Sequence, residues 1–105
     1  MEKAFKIEYA LDARVDIESL AEYIADTLCA PQAATKLLIN IRSAIERLQS
    51  FPFSGTPLAE DREMATMRRW LRVENYMIFY TVDKDKEAVY ILRVLYAPSN
   101  YLEIL

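Results

Sequence analysis

The chain has 105 residues, of which 53% are hydrophobic and only one is glycine, a composition typical of a folded protein with one hydrophobic core. Its 13 lysine and arginine residues against 16 aspartate and glutamate residues give a net charge of −3, which disfavours non-specific binding to nucleic acid, so we expect no direct DNA binding by this chain alone. The sequence has no histidine, which excludes histidine acid–base catalysis and the usual zinc sites, and its single glycine excludes Gly-rich phosphate loops, so we expect neither a metal nor a cofactor.

The first predicted element is a β-strand over residues 4–9. Phe5, Ile7 and Tyr9 alternate with Lys6 and Glu8. This period of two is typical of a strand with one buried face.

Two segments with helical spacing of apolar residues follow, one on each side of Pro31. The first begins at Asp12, whose carboxylate we expect to cap the helix, and ends near Cys29, because a proline disfavours helix at the residue before it. Its predicted apolar stripe comprises Ile17, Leu20, Ala21, Ile24 and Leu28. The second helix carries Ala34, Leu37, Leu38, Ile41, Ile45 and Leu48 on one side. With almost no linker between them, the two helices are expected to form an antiparallel hairpin.

A loop and three strands complete the chain. Residues 51–57 contain two prolines and the only glycine, which predicts the main loop. Aromatic and β-branched residues then predict strands over 70–73, 76–82 and 88–96. The order β-α-α-β-β-β indicates an α+β fold in one domain over residues 1–105, with an antiparallel sheet of about four strands and the helical hairpin packed on one face.

The last two strands are apolar at nearly every position, although the hairpin can cover only one face of the sheet. An antiparallel sheet with a solvated face normally alternates apolar and polar residues. We therefore expect the second face to bind a partner, and simple alternation places Tyr90, Leu92, Val94 and Tyr96 there. The alternative is that tyrosines and scattered apolar residues are tolerated on an exposed sheet face. In the apolar tail, Tyr101 either docks on the domain or contacts the partner.

Four segments of the sequence, in the same order, resemble the RelE/ParE toxin superfamily. In the first helix they are Ala13, Asp16-Ile17, Leu20 and Tyr23-Ile24, and in the second helix and loop they are Ile41, Ile45, Leu48, Pro52 and Gly55. The later strands contribute Arg69, Leu71, Val73, Asn75-Tyr76, Ile78-Phe79-Tyr80, Val82, Ile91 and Arg93-Val94-Leu95. The resemblance spans nearly the whole chain and implies the toxin of a type II toxin-antitoxin system, of the kind that serves in plasmid stabilisation and addiction modules.

This resemblance also implies partners. A cognate antitoxin neutralises such a toxin by wrapping a C-terminal segment around it, which implies a hetero-oligomer and leaves a homodimer open. RelE-like members cut mRNA in the ribosomal A site, whereas ParE-like members inhibit DNA gyrase. A lone cysteine, Cys29, and the lack of a leader-like or membrane-length apolar segment favour a cytoplasmic protein that does not enter the membrane.

Cleavage of RNA without histidine requires arginine or lysine to stabilise charge on the phosphate and a further group to move protons. The candidates here are Arg69, Arg72, Arg93 and Tyr96. The alternative is that the arginines are solvated or paired on the sheet and that Tyr96 only packs. Arg93 is the candidate whose position most requires an explanation, because it lies among apolar residues.

Three departures from the RelE-like pattern weigh against cleavage. Met77 stands where many relatives carry an arginine, Tyr96 stands where many carry a histidine, and residues 97–100 replace a basic pair. Together with the acidic net charge, these departures favour a ParE-like, non-nucleolytic toxin, for which DNA gyrase is the implied target. A RelE-like mRNA interferase and an inactive toxin-fold binding module are the alternatives.

Overall fold

The computed structural model describes residues 4–58 and 68–97 and shows two helices packed against a five-stranded sheet. The strands are β1 (Lys6–Tyr9), β2 (Thr56–Pro57), β3 (Arg68–Val73), β4 (Tyr76–Asp83) and β5 (Ala88–Tyr96). The helices are α1 (Leu11–Glu22), which a π-helical turn (Tyr23–Thr27) extends, and α2 (Pro31–Arg47). The predicted α+β fold is confirmed, with β2 as one strand more than expected. Neither described helix has the length and apolar character needed to cross a membrane.

The sheet has the strand order β1-β5-β4-β3-β2. Strands β2 to β5 pair antiparallel in sequence order, as expected of a meander. Strand β1 instead runs parallel to β5, with Ile7 opposite Val89 and Tyr9 opposite Ile91, so the predicted antiparallel pairing fails at this one strand. A parallel neighbour requires a long crossover, and the two helices between β1 and the meander provide it.

Both helices pack on one face of the sheet, as predicted, and the hydrophobic core lies between them and the strands. The helices contribute Ala13, Leu20, Leu37, Ile41, Ile45 and Leu48, and the strands contribute Ile78, Tyr80, Val82, Val89, Ile91 and Val94. Ile7 and Tyr9 of β1, and Phe5 just before it, pack against this cluster, which confirms the buried face predicted for that strand. Each large aliphatic side chain buried in this way stabilises the fold by roughly 1.5–3 kcal/mol.

Helix α1 differs from the prediction at both ends. Ala10 rather than Asp12 occupies the N-cap, and Asp12 lies in the first turn, where its charge still favours the helix dipole. At the other end the helix widens into the π turn, and Cys29 adopts a left-handed backbone conformation with φ of 53°. Because the wider turn rotates the following residues away from the core, Leu28 is more than half exposed instead of buried.

Candidate functional site

The sheet face opposite the helices, which we call the open face, includes three adjacent cross-strand rows and a fourth at its end, formed by Asp83, Ala88 and Lys6. In the middle row Trp70 lies opposite Phe79, which in turn lies opposite Arg93. The flanking rows are Arg68, Thr81, Tyr90 and Glu8 on one side and Arg72, Met77 and Leu95 on the other. The centre of the open face is therefore mainly aromatic and neither helix covers it, but Met77 in the next row is only 1% exposed.

A β-bulge in β5 decides which side chains reach the open face. The register skips Leu92, because Ile91 and Arg93 lie opposite consecutive residues of β4. Beyond the bulge the alternation shifts by one residue, so Val94 points toward the helices and is only 3% exposed. Tyr96 likewise pairs with Tyr76, which packs against the core. The prediction that Val94 and Tyr96 share a face with Tyr90 is therefore wrong, since it assumed an unbroken period of two.

Arg93 is held by an acidic residue of α1. Its Nε donates to Oδ2 of Asp16 at 2.7 Å, and its Nη2 donates to Oδ1 at 2.9 Å. The same carboxylate accepts the backbone N–H of Val94 at 2.9 Å. Strand β1 ends at Tyr9, opposite Ile91, so Val94 lies beyond its reach. Asp16 therefore supplies the acceptor that a longer β1 would have offered to the edge of β5.

The other two candidate arginines are anchored elsewhere in the fold. Arg69 lies on the helix side of β3, and its Nη1 donates to the carbonyl oxygens of Phe53 at 3.0 Å and Gly55 at 2.7 Å. Arg72 lies on the open face, and its Nη1 donates to the carbonyl oxygen of Ala97 at 2.7 Å. The three guanidinium groups thus bind three different parts of the chain, and these bonds do not gather them at one point.

Tyr96 stands at the end of β5. Its side chain is 62% exposed and packs edge-on against the ring of Tyr76, with 5.6 Å between the ring centroids. Burial, and then the nearby Tyr96 and Glu74, raise the pKa of Tyr76, so this partner ring stays neutral at physiological pH. Partner binding by Tyr96 stays a prediction, and Tyr101, the last of the predicted contacts, lies outside the described residues.

Two contacts of this region were not predicted from the sequence. One is the hydrogen bond that Asp16 accepts from Val94 at the edge of β5. The other fixes the loop after α2, since the buried hydroxyl of Tyr80 accepts a hydrogen bond from the N–H of Gly55 at 2.9 Å. Burial raises the pKa of Tyr80 in spite of this hydrogen bond. Asp16, Gly55 and Tyr80 all occur in the superfamily pattern, but a pattern of residue types does not say which residues bind each other.

A groove opens between α1 and α2, on the side of the sheet opposite the open face. Its lining includes Tyr9, Arg14, Ile17, Leu38, Ile39 and Arg42, and its volume is about 640 Å³. Ile39 is more than half exposed, and Leu11 and Val15, on the same side of α1 as Arg14, are at least half exposed. The groove therefore joins an apolar surface to two cationic side chains and one acidic side chain, Glu18.

Comparisons with known proteins agree on the fold. The family described as the ParE toxin of the type II toxin-antitoxin system parDE matches residues 7–101. Among solved structures, the chain is similar to the chromosomal ParDE system from P. aeruginosa, with a TM-score of 0.69, 18% identity and coverage of 90% of this chain and 97% of that one. For the RelBE2 toxin-antitoxin complex from Mycobacterium tuberculosis the TM-score is 0.59, the identity 23% and the coverage 91% and 94%. For the archaeal RelE-RelB complex from Pyrococcus horikoshii the TM-score is 0.57 and the identity 14%, and the alignment covers 89% of this chain and 94% of that one. No curated protein matches the chain.

Proposed function

We propose that this chain, which belongs to the ParE toxin family of type II toxin-antitoxin systems, inhibits growth without cutting RNA and that its target is DNA gyrase. The match over residues 7–101 establishes a toxin of the ParE/RelE family. The mode of action and the target are our inference from the geometry of the open face and from the sequence.

The observation that carries the proposal is the chemistry at the centre of the open face. Trp70 and Phe79 occupy that centre, with the buried Met77 in the next row, and none of the three can stabilise the charge that develops on a phosphate during cleavage. Of the arginines on the same face, Arg72 and Arg93 already bind acceptors of the protein itself. A nuclease needs such donors positioned toward the substrate, so this arrangement favours inhibition by binding.

A cognate antitoxin is the partner that we propose for the apolar surfaces. The three solved structures compared above are described as toxin-antitoxin systems or complexes. The groove between α1 and α2 is lined by Ile39, Arg14 and Arg42, and the exposed Leu11 and Val15 lie on the same side of α1 as Arg14. An antitoxin segment that alternates apolar and acidic residues would bury its apolar side chains there and pair its carboxylates with the two arginines.

RNA cleavage of the RelE type is the alternative. One observation favours it, since Arg72 and Arg93 lie on the same face as Tyr90. In that case each arginine would have to exchange its present acceptor for the phosphate of a bound RNA. An inactive toxin fold that only binds its antitoxin is a third function.

Induced expression in a bacterial host distinguishes the three functions. For a gyrase inhibitor we expect filamentation and induction of the DNA-damage response with intact transcripts, measured by microscopy, a reporter and primer extension on abundant mRNAs. Transcripts cleaved within codons would contradict the proposal and indicate the RelE-type function. Normal growth at a confirmed protein level would indicate the inactive fold. Co-expression of the neighbouring antitoxin gene is the control, because it should restore growth.

Arg72→Ala and Arg93→Ala are expected to leave toxicity nearly unchanged, because neither guanidinium takes part in the proposed inhibition. Removal of a positioned cation from a nuclease site would instead lower the rate by about 10²–10³-fold. Colony counts after induction at matched protein levels measure the difference. Thermal melting of each purified variant shows that it is folded, and loss of toxicity in a folded variant would contradict this prediction.

A further inference from the structure

The loop that follows α2 presents two phenylalanine side chains to solvent on a fixed backbone. Phe51 is 64% exposed and Phe53 is 39% exposed. The loop is held by the bond from Gly55 to the buried Tyr80 hydroxyl and by the two bonds from Arg69 to the loop carbonyls. A rigid loop that exposes large aromatic rings is a common position for a binding surface.

Cationic side chains surround these rings. The guanidinium of Arg69 lies 5.1 Å from the ring centroid of Phe53, and the Lys84 ammonium lies 5.9 Å from it. Arg47 and Phe51 together line two adjoining cavities of about 470 and 260 Å³, and Arg72 lines the second of them. Within the described part of the chain, Arg47 makes no ion pair. This concentration of cations contrasts with the net charge of −3 for the whole chain.

We propose that this surface, the Phe51 platform, binds single-stranded nucleic acid. Its residues are Arg47, Phe51, Phe53 and Lys84. A base would stack on the exposed ring of Phe51 with a phosphate on Arg47, and Lys84, which lies beside the ring of Phe53, would contact a further phosphate along the strand. Aromatic rings interleaved with cations are the arrangement by which proteins bind single strands without reading their sequence.

The same arrangement is unfavourable for an apolar protein segment. A purely apolar segment that covered Phe51 would offer Arg47 no charged acceptor, and lysine, which this surface carries at Lys84, is depleted in protein interfaces. A nucleic acid supplies a flat ring for Phe51 and phosphate oxygens for the guanidinium group at the same time. The acidic carboxylate of Glu46 lines the larger cavity beside Arg47, so we expect binding to be weak and to require low salt.

This inference is independent of the gyrase proposal and modifies the expectation that the chain alone does not bind DNA. That expectation rests on the charge of the whole molecule, which governs long-range attraction to a duplex. The platform offers a local site for unpaired bases, which a duplex hides. A duplex should therefore bind more weakly than a single strand of the same length.

Fluorescence anisotropy with labelled oligothymidine and oligouridine of about 12 nucleotides tests the proposal on the full chain. We expect saturable binding of both at low salt, because stacking and phosphate contacts do not depend on the 2′-hydroxyl. With two phosphate contacts, the logarithm of the affinity should fall with the logarithm of the salt concentration with a slope of about −1.4. No binding at a protein concentration of about 200 μM in low salt, or equal binding of a duplex, would overturn the proposal.

Variants at the platform make the test specific. Phe51→Leu keeps an apolar side chain but removes the ring, and we expect the affinity to fall by about 5- to 100-fold with an unchanged salt slope. Arg47→Gln should reduce the magnitude of the slope by about 0.7. Tyr23→Leu is the matched control, since Tyr23 is an exposed aromatic residue outside the platform, and it should bind as the wild type does. Unchanged affinity of folded Phe51→Leu would overturn the assignment of the site.

Discussion

Replacing Gly55 by alanine is expected to lower the free energy of unfolding by about 2–4 kcal/mol. A Cβ atom here would lie 2.8 Å from the carbonyl oxygen of Trp70, 2.9 Å from Cε1 of Tyr80 and closer still to the Tyr80 hydroxyl. The first of these atoms belongs to the backbone and the others to a fully buried side chain, so none can move without disturbing β3 or the core. Thermal unfolding followed by circular dichroism should show a decrease in Tm on the order of 10–20 °C.

Tyr80→Phe serves as the control that separates lost hydrogen bonding from overpacking. Alone it removes the acceptor of the Gly55 N–H and should lower the free energy of unfolding by about 1–2 kcal/mol. Combined with Gly55→Ala it also removes the atom nearest to the new methyl group, so the double variant should lose less stability than the sum of the two single variants. Strict additivity, or an alanine variant as stable as the wild type, would show that the loop shifts freely.

The elements of this fold could be predicted from the sequence because each has its own period. The alternation in β1 and the helical spacing around Pro31 both lead to side chains that the structure buries. The direction of β1 could not be predicted in this way, since Ile7 and Tyr9 would face the core in a parallel or an antiparallel strand. Strand β2 was missed because two residues, one of them Pro57, are too few to show a period.

The geometry of the candidate site was harder to predict than its residues. A bulge has no period, so alternation through β5 placed Val94 on the wrong face of the sheet. The sequence shows that Arg93 lies among apolar residues and needs a partner, but that partner, Asp16, is 77 residues away along the chain. Of the residues proposed for RNA cleavage, Arg69 thus stabilises the loop after α2, and Arg93 stabilises the edge of the sheet through Asp16.

Asp16→Ala is expected to lower the free energy of unfolding by about 2–3 kcal/mol, because it leaves the N–H of the buried Val94 without an acceptor. The guanidinium of Arg93 is nearly half exposed and would be hydrated once Asp16 is removed, so the loss of this ion pair adds little to the decrease in stability. Asp12→Ala is the matched control on the same helix. Its carboxylate is exposed, so we expect a change of about 0.5 kcal/mol or less. Urea unfolding at neutral pH measures both, and equal effects of the two substitutions would contradict the role of Asp16.

The contribution of the Asp16 charge should also depend on pH. Burial opposes ionisation, but the hydrogen bonds from Arg93 and Val94 outweigh it, so the pKa of Asp16 lies below its ordinary value of 3.8. The unfolded chain therefore takes up a proton at a higher pH than the folded chain, and the stabilisation is complete only above the ordinary pKa. It is lost as the pH falls through the lowered pKa of the folded state. The stability difference between wild type and Asp16→Asn should accordingly be largest near neutral pH and shrink below about pH 4. A difference that stays constant down to the acid transition would show that the amide replaces the carboxylate fully and that the charge itself stabilises nothing.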